Sequence, residues 1–475
     1  MSSDQAAIPG VPRTPVRKGV VLFVTAMASF LTPFMGSSIN IALPTIGREF
    51  SAGAFTLSWI TTAYLLAAAA FLVPMGRLAD IHGRKRVFLT GMVGYTAVSL
   101  LCGFAVSEGM LIALRALQGT ADALMFATAA AIVTSVYPPK ERGRALGVNV
   151  AFTYAGLALG PFIGGVITQY LGWRSIFFFT TALGLLVIAL TIWKMKDEWA
   201  EAAGQRMDWL GGGLYALTLL AVMNGFRLLP ELSGVILMLA GAACLVGFVI
   251  WENRAANPVL DMGLFRRNTV FAMSNLSALI NYAATFALTF LFSLYLQYIK
   301  GFDPRTAGLV MLSQPVIMSI FSPVAGRLSD RIEPRVVASV GMTLSTAGLL
   351  LTSFLGSSSS LAYIVAILML CGLGFGLFSS PNTNAIMGSV ERKHYGVASA
   401  TTGAMRLIGQ MLSMAAAGMI IALYVGKVQI TAENHAAFLR GFRAAFLIFA
   451  GLCLAGIFAS LARGRLHGKA APPRR

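Results

Sequence analysis

The sequence predicts an all-α membrane protein of two pseudo-symmetric six-helix bundles with an inserted two-helix hairpin, 14 transmembrane helices in all. Three observations predict it. Of 475 residues, 57% are hydrophobic and 11% charged, whereas soluble domains carry about 25% charge. Runs of the ~20 apolar residues that a spanning helix needs begin near residues 19, 55, 87, 109, 145, 173, 208, 233, 269, 305, 335, 361, 396 and 441. A charged phrase between two of those runs, "GRLADIHGRKR" at 76–86, returns in large part as "GRLSDRIEPR" at 326–335.

Residues 1–18 form a polar N-terminal tail with no short apolar core and cleavage site, so no signal peptide is expected. Residues 19–194 hold the first six spans. Residues 195–268 hold the hairpin of spans 7 and 8, flanked by the polar linkers "KMKDEWAEAAGQRMD" (194–208) and "ENRAANPVLDMGLFRRN" (252–268). Residues 269–462 hold the other six spans, and 463–475 form a basic tail. The halves correspond at an offset of about 250: Gly76 maps to Gly326, Asp80 to Asp330, and "ERGRALG" (141–147) answers "HYGVASA" (394–400).

An even number of spans puts both termini on one side. Assigning that side to the cytoplasm places 26 of the 36 Lys and Arg in cytoplasmic loops and tails, 8 in outer loops, and two, Arg115 and Arg406, within the membrane. The positive-inside rule favours this orientation in a plasma membrane. The net charge of +18 is thus a topology signal, and no nucleic-acid partner is expected. Cys102, Cys244, Cys371 and Cys453 lie in apolar segments without ligand spacing, and His82, His394, His435 and His467 lie in loops or the tail; neither a metal site nor a disulfide framework is indicated. Loops are short, and no phosphate-cradling "GxxxxGK[ST]" or catalytic domain interrupts them. The expectation is a transporter rather than an enzyme, without a cofactor, working as a monomer on a small solute and drawing on a gradient or on the solute itself. A receptor or structural protein on a transporter fold is the competing class.

Within the first repeated phrase, Gly76 allows close backbone approach, Asp80 can accept hydrogen bonds at a helix N-terminus, and Arg84 with its basic neighbours favours the cytoplasmic face. Recurrence at Gly326 and Asp330 marks a conformational latch rather than a simple positive turn. In "GLALGPFIGG" (156–165), Gly156, Gly160 and Gly164 recur every four residues and make a smooth helix face, Pro161 frees a carbonyl, and Gly165 closes the phrase. Close helix packing alone would use the same spacing.

Together with "SWITTAYLL" (58–66), "LIALRALQG" (111–119), "LYLQ" (294–297) and "SPNTNAIMGSV" (380–390), these phrases resemble the major facilitator superfamily, specifically its fourteen-span drug:proton antiporter branch, over residues 19–462. The resemblance implies proton-coupled efflux of amphipathic organic compounds by alternating access. It implies that Asp80 engages the cytoplasmic end of a helix in the other half, near Gly396, in the outward-facing state, and that "GLALGPFIGG" seals the halves against leak. The chain departs from the branch in span 1. Nine residues before the Pro of a phrase similar to "NIALP", where the branch carries Asp, "FMGSSINIALP" has Met35.

Of 18 acidic residues only Asp122 lies deep in a span. A lone carboxylate there costs about 2.5–3.5 kcal/mol on insertion scales and marks a functional site. Arg115 lies seven residues earlier, almost two turns and ~10.5 Å along the helix, so both side chains are expected to look into one cavity. Asp122 is the expected proton carrier, with Arg115 in coupling; a structural carboxylate held by hydroxyls or by Arg406 is the competing role. The three deep charges sum to +1, which suits the alternative of a metabolite anion or zwitterion carried without protons. A promiscuous cavity would use aromatic and adaptable surfaces. The candidates are Trp59, Tyr64, Asn281, Tyr282, Phe286, Gln314, Phe378, Asn382 and Arg406, the buried amides being the stronger because each needs a partner.

Overall fold

The computed structural model describes residues 18–200, 202, 204–229, 231–255, 258–260, 262–391 and 395–464; the rest of both tails lies outside them. The first bundle comprises α1 (Lys18–Phe50), α2 (Ala54–His82), α3 (Arg84–Cys102), α4 (Glu108–Val136), α5 (Pro139–Leu171) and α6 (Arg174–Lys194). Local chemistry sets their limits. Gly83, at φ 112°, makes the sharp turn between α2 and α3. The Ser107 hydroxyl accepts from Met110 N at 3.2 Å to cap α4, and Pro139 opens α5 where a missing N–H costs nothing. Helix α1 packs along α5, α2 along α4, and α3 against α4 and α6.

Helices α7 (Trp209–Leu228) and α8 (Leu232–Glu252) form the inserted hairpin. Asp208 caps α7 by accepting from Gly211 N at 2.8 Å. After the short α9 (Met262–Arg267) comes the second bundle: α10 (Thr269–Thr285), α11 (Ala287–Leu294), α12 (Pro304–Met311), α13 (Ser313–Ser329), α14 (Pro334–Thr352), α15 (Leu361–Gly388), α16 (Tyr395–Val425) and α17 (His435–Ala462). Among the described residues, thirteen helical segments are long and apolar enough to cross a membrane. The fourteenth helix of the arrangement is α3, whose Arg-Lys-Arg start lowers its mean hydropathy.

Two spans expected to be continuous are broken. Between α10 and α11 the freed Ala287 N–H donates to Ser413 Oγ of α16 at 3.0 Å, and α11 runs into a π-helical turn at Tyr295–Ile299. Between α12 and α13 the chain breaks at Leu312, just before Pro315, which has no N–H to offer the Met311 carbonyl. Helices α3, α5 and α17 start three to six residues earlier than their apolar runs (87, 145 and 441), because each continues into a polar end. Helix α17 ends at Ala462, and the residue after it is anchored in the fold. Arg463 is 1% exposed and donates to Asn382 Oδ1 at 2.9 Å, Ser274 Oγ at 3.3 Å and Ser460 O at 2.7 Å, so it ties the end of α17 to α10 and α15. Burial, and secondarily the charge of Arg335, lower its pKa to about 10.

The bundles meet along α2–α16, α5–α12, α5–α13 and α1–α11. Pro44 lacks an N–H and leaves the Asn40 carbonyl free, and Ser293 Oγ of α11 donates to it at 2.6 Å. Gln297 Nε2 donates to Ile41 O at 2.9 Å, Tyr298 OH to Pro44 O at 3.2 Å, and Gln429 Nε2 to Gly47 O at 2.8 Å. Thus "NIALP" and "LYLQ" bind one another across the halves. Among the described residues, the hydrogen bonds joining the bundles run from Tyr154 to this end, where α2 begins and α16 finishes. The molecule is sealed there.

Candidate functional site

The deep carboxylate organises the centre. Asp122 is 2% exposed, and Thr32 Oγ1 of α1 donates to its Oδ1 at 2.5 Å. No basic nitrogen of the described residues comes within 4.0 Å of it. The pairing with Arg406 weighed from sequence is therefore not made. Arg406 instead reaches across the bundle boundary and lays its guanidinium over the Phe126 ring of α4, 4.6 Å from the centroid, with its Nε lacking a hydrogen-bond partner. Phe126 lies one turn beyond Asp122, so cation and carboxyl flank the same level of the cleft.

Arg115 occupies the same helix face as Asp122, as the seven-residue spacing predicts, but that face is bundle interior at Arg115. The residue is fully buried. Its Nε donates to Ile60 O at 3.2 Å, its Nη1 to Gln118 Oε1, and its guanidinium lies 4.1 Å from the Tyr64 ring centroid. Gln118 Nε2 in turn donates to Ser99 Oγ of α3 at 2.6 Å. Arg115 and Asp122 do not share an open cavity; the Tyr64 phenol stands between them, its hydroxyl near Asp122 without completing a hydrogen bond.

The other expected cavity residues separate into groups. Tyr282 of α10 faces the centre and meets the Phe375 ring edge-on at 5.4 Å. Phe378 turns into the core, its backbone N within 2.6 Å of where a Cβ on Gly341 of α14 would sit, so Phe375, three residues earlier, takes the place assigned to it. Asn382 is engaged by Arg463 and by Ser274 O at 3.1 Å; it is a buried node of the second bundle. Asn281 is fully buried with neither amide atom bonded. Phe286 caps α10, half-buried, and the Gln314 carbonyl sits where α13 crosses Gly372. Trp59 points away from the centre, into a groove between α2, α4 and α7.

Sequence reasoning missed Thr32, Phe126, Tyr154, Ser322, Phe375 and Ser379. Tyr154 OH accepts from Ser322 Oγ at 3.3 Å and lies 3.3 Å from Ser379 Oγ, joining α5 to α13 and α15. One signal was available: Phe375 and Ser379 fall one turn apart on α15.

The glycine phrase of α5 has two faces. A Cβ on Gly156, Gly160 or Gly164 would come within 2.4 Å of Phe30 O, 1.9 Å of Ser37 Oγ and 2.6 Å of Ser38 Cβ, all on α1. A Cβ on Gly165 would come within 2.4 Å of Pro304 O, and one on Gly308 of α12 within 2.2 Å of the Pro161 carbonyl oxygen. The phrase therefore packs α1 inside its own bundle and α12 across the boundary.

At the opposite end, Arg84 is folded onto its own half. It pairs with Asp80 at 2.8 Å and reaches Ser135 Oγ of α4 at 2.6 Å. Glu198 of the first linker accepts from Lys85 N and Arg86 N at the start of α3, and Ala202 N donates to Asp80 O at 2.9 Å. Gly76 packs near Ala127, and Gly326 near Ser380, each within its half; Asp330 ends α13. The expected docking position of Asp80, near Gly396, adjoins residues 392–394, which lie outside the described residues.

The family model described as Major Facilitator Superfamily matches residues 25–272 and 275–475. The chain is 32% identical over 422 residues, 88% of its own length and 78% of the relative's, to Multidrug resistance protein Stp of Mycobacterium tuberculosis. It is 28% identical to Riboflavin transporter RibZ of Clostridioides difficile, covering 93% of this chain and 96% of the relative, and 28% identical to the Tetracenomycin C resistance and export protein of Streptomyces glaucescens, covering 88% and 80%. Among solved structures it resembles a bacterial homolog to human lysosomal transporter Spinster in an inward-facing and unoccupied conformation, with TM-score 0.71 and 15% identity over 94% of this chain and 97% of that one.

Proposed function

Because the chain belongs to the major facilitator superfamily, we propose that it is a multi-pass transporter that exports amphipathic organic compounds by alternating access in exchange for protons, with Asp122 as the proton carrier. The observation that carries this reading is the Thr32–Asp122 hydrogen bond. Thr32 lies one turn before Met35 on α1, so α4 delivers a carboxyl group close to where the branch carries its span 1 carboxylate. The group has no counter-ion to fix its charge and can hold or release a proton. A solute that binds better to one protonation state then exchanges with the proton through linked equilibria. Tyr64 carries the influence of Arg115 to that carboxyl, and Arg406 acts on it across the cleft. The aromatic walls at Phe126, Tyr282 and Phe375, with few fixed polar contacts, suit a broad amphipathic substrate range, as do the names of two relatives that confer resistance.

A second reading, a metabolite anion or zwitterion, draws on the unpaired Arg406 and on the riboflavin transporter relative. A solute screen in proteoliposomes under an imposed pH gradient, reading solute flux and internal pH together, separates the two. Export of amphipathic cations or neutral compounds with inward proton movement supports the first; flux of an anion indifferent to the gradient replaces it with the second, and absence of any flux removes both.

Both termini are cytoplasmic in this reading, so the sealed end is the outer one and the conformation is inward-facing. Single cysteines placed at His82 and Glu333 should resist an impermeant thiol reagent in intact cells and react in inverted vesicles; labelling from outside would reverse the topology. Gly76, Asp80, Arg84, Gly326 and Asp330 form the latch, which is disengaged when the cytoplasmic side is open. Asp80→Asn is expected to slow turnover several-fold with solute affinity unchanged, since the latch lies far from the centre. Transport and equilibrium binding measured on the same preparation check this, and lost affinity in a folded variant would remove the latch role.

A further inference from the structure

We propose that the groove between α2, α4 and the α7–α8 hairpin is a binding site for an anionic phospholipid, its headgroup phosphate held by Arg227 and Lys427 and an acyl chain lying over Trp59. The groove is a cavity of about 360 Å³ whose lining is mostly apolar, including Phe55, Trp59 and Ile112, with Asn224 and Arg227 at one edge. It lies at the perimeter, where the largely lipid-facing hairpin leans on α2, and is distinct from the Asp122 centre.

The depth of the groove fits a headgroup. Trp59 is five residues into α2, ~7.5 Å from its start; Arg227 is in the last turn of α7; Lys427 lies just past the end of α16. All three are at the same end of the molecule, and a Trp near a helix end marks the membrane–water interface. The charge is complementary and uncommitted. The Arg227 guanidinium sits 6.0 Å from the Trp59 ring centroid and the Lys427 ammonium 5.3 Å from the Phe55 ring centroid. Among the described residues neither cation has a carboxylate within 4.0 Å, although Glu108 opens α4 at this same end. Two cations bordering an apolar groove between helices match the phosphate and acyl parts of one lipid. Ile60, Tyr64 and Arg115, all buried, do not line the groove.

The test is native mass spectrometry of the full-length protein exchanged with phosphatidylglycerol or phosphatidylcholine of identical chains. The expected result is preferential retention of phosphatidylglycerol, reduced roughly 30-fold in R227Q/K427Q, at about five-fold per lost surface cation, with phosphatidylcholine retention unchanged. Ala63→Phe, which fills the groove without touching its charge, should reduce phosphatidylglycerol retention as well, and unchanged thermal unfolding without added lipid shows that each variant is folded. Equal retention of the two lipids, or retention unaltered in both variants, overturns the proposal. Displacement of the lipid by inorganic phosphate alone also overturns it, since the acyl contact would then contribute nothing.

Discussion

Asp122→Asn is expected to reduce pH-gradient-driven export to the level of empty vesicles while the protein still folds and retains part of its solute affinity. The carboxamide is nearly isosteric with the carboxyl and keeps an oxygen to accept from Thr32, so the loss of stability should stay within about 1 kcal/mol, the net value of one hydrogen bond. What disappears is the exchangeable proton. Arg115 cannot substitute for it, because its guanidinium is held by Ile60 O, Gln118 and the Tyr64 ring and arginine keeps its proton. Solute counterflow, which needs no net driving force, should survive in the variant. If Asp122→Asn moves protons with solute at the wild-type ratio, Asp122 is a structural residue and the carrier lies elsewhere.

Gly308→Leu should slow transport sharply for a different reason. The new Cβ would lie 2.2 Å from Pro161 O and 2.9 Å from Pro161 C, both backbone atoms of the other bundle, so relief requires α5 and α12 to separate. Overpacking of this kind costs about 1–3 kcal/mol. Here the cost falls on the state sealed at this end and spares the state open there, which shifts the equilibrium by roughly 5- to 150-fold. Gly119→Ala provides the contrast: its Cβ would lie 2.1 Å from Tyr64 O, inside the first bundle, and so should destabilise every state alike. Spin-label distances between the start of α2 and the end of α16 should lengthen in Gly308→Leu and stay unchanged in Gly119→Ala. No lengthening in Gly308→Leu would mean that this contact does not control closure.

The helices and the duplicated halves were legible in the sequence because their signals are local. Apolar length reports a span whatever it packs against, and the phrase at 76–86 carries its own copy at 326–335. The deep burial of Asp122 was legible for the same reason, since a carboxylate amid apolar residues is conspicuous without any neighbour. Facing was not. Phe375 and Phe378 are three residues apart on α15, and only the approach of Gly341 decides that Phe378 packs inward while Phe375 meets Tyr282. Trp59 and Tyr64 share one phrase, yet the hairpin lies on one side of α2 and Arg115 on the other. Arg115 shows the limit of periodicity. The spacing gave its helix face, but whether that face opens to a cavity depends on Tyr64 and Gln118. The break at Phe286 was equally hidden, because the partner that receives the freed Ala287 N–H, Ser413, is over a hundred residues away in the chain, whereas Pro315 beside the break at Leu312 was a local signal.

If solute and proton are linked through Asp122, binding of solute releases a proton. Purified protein in weak buffer is mixed with a saturating transported compound and the pH is recorded. The wild type should release about one proton per molecule at a pH where the carboxyl is protonated beforehand, and Asp122→Asn should release none. Equal release from both proteins, or none from the wild type across the pH range in which transport is coupled, would contradict the account.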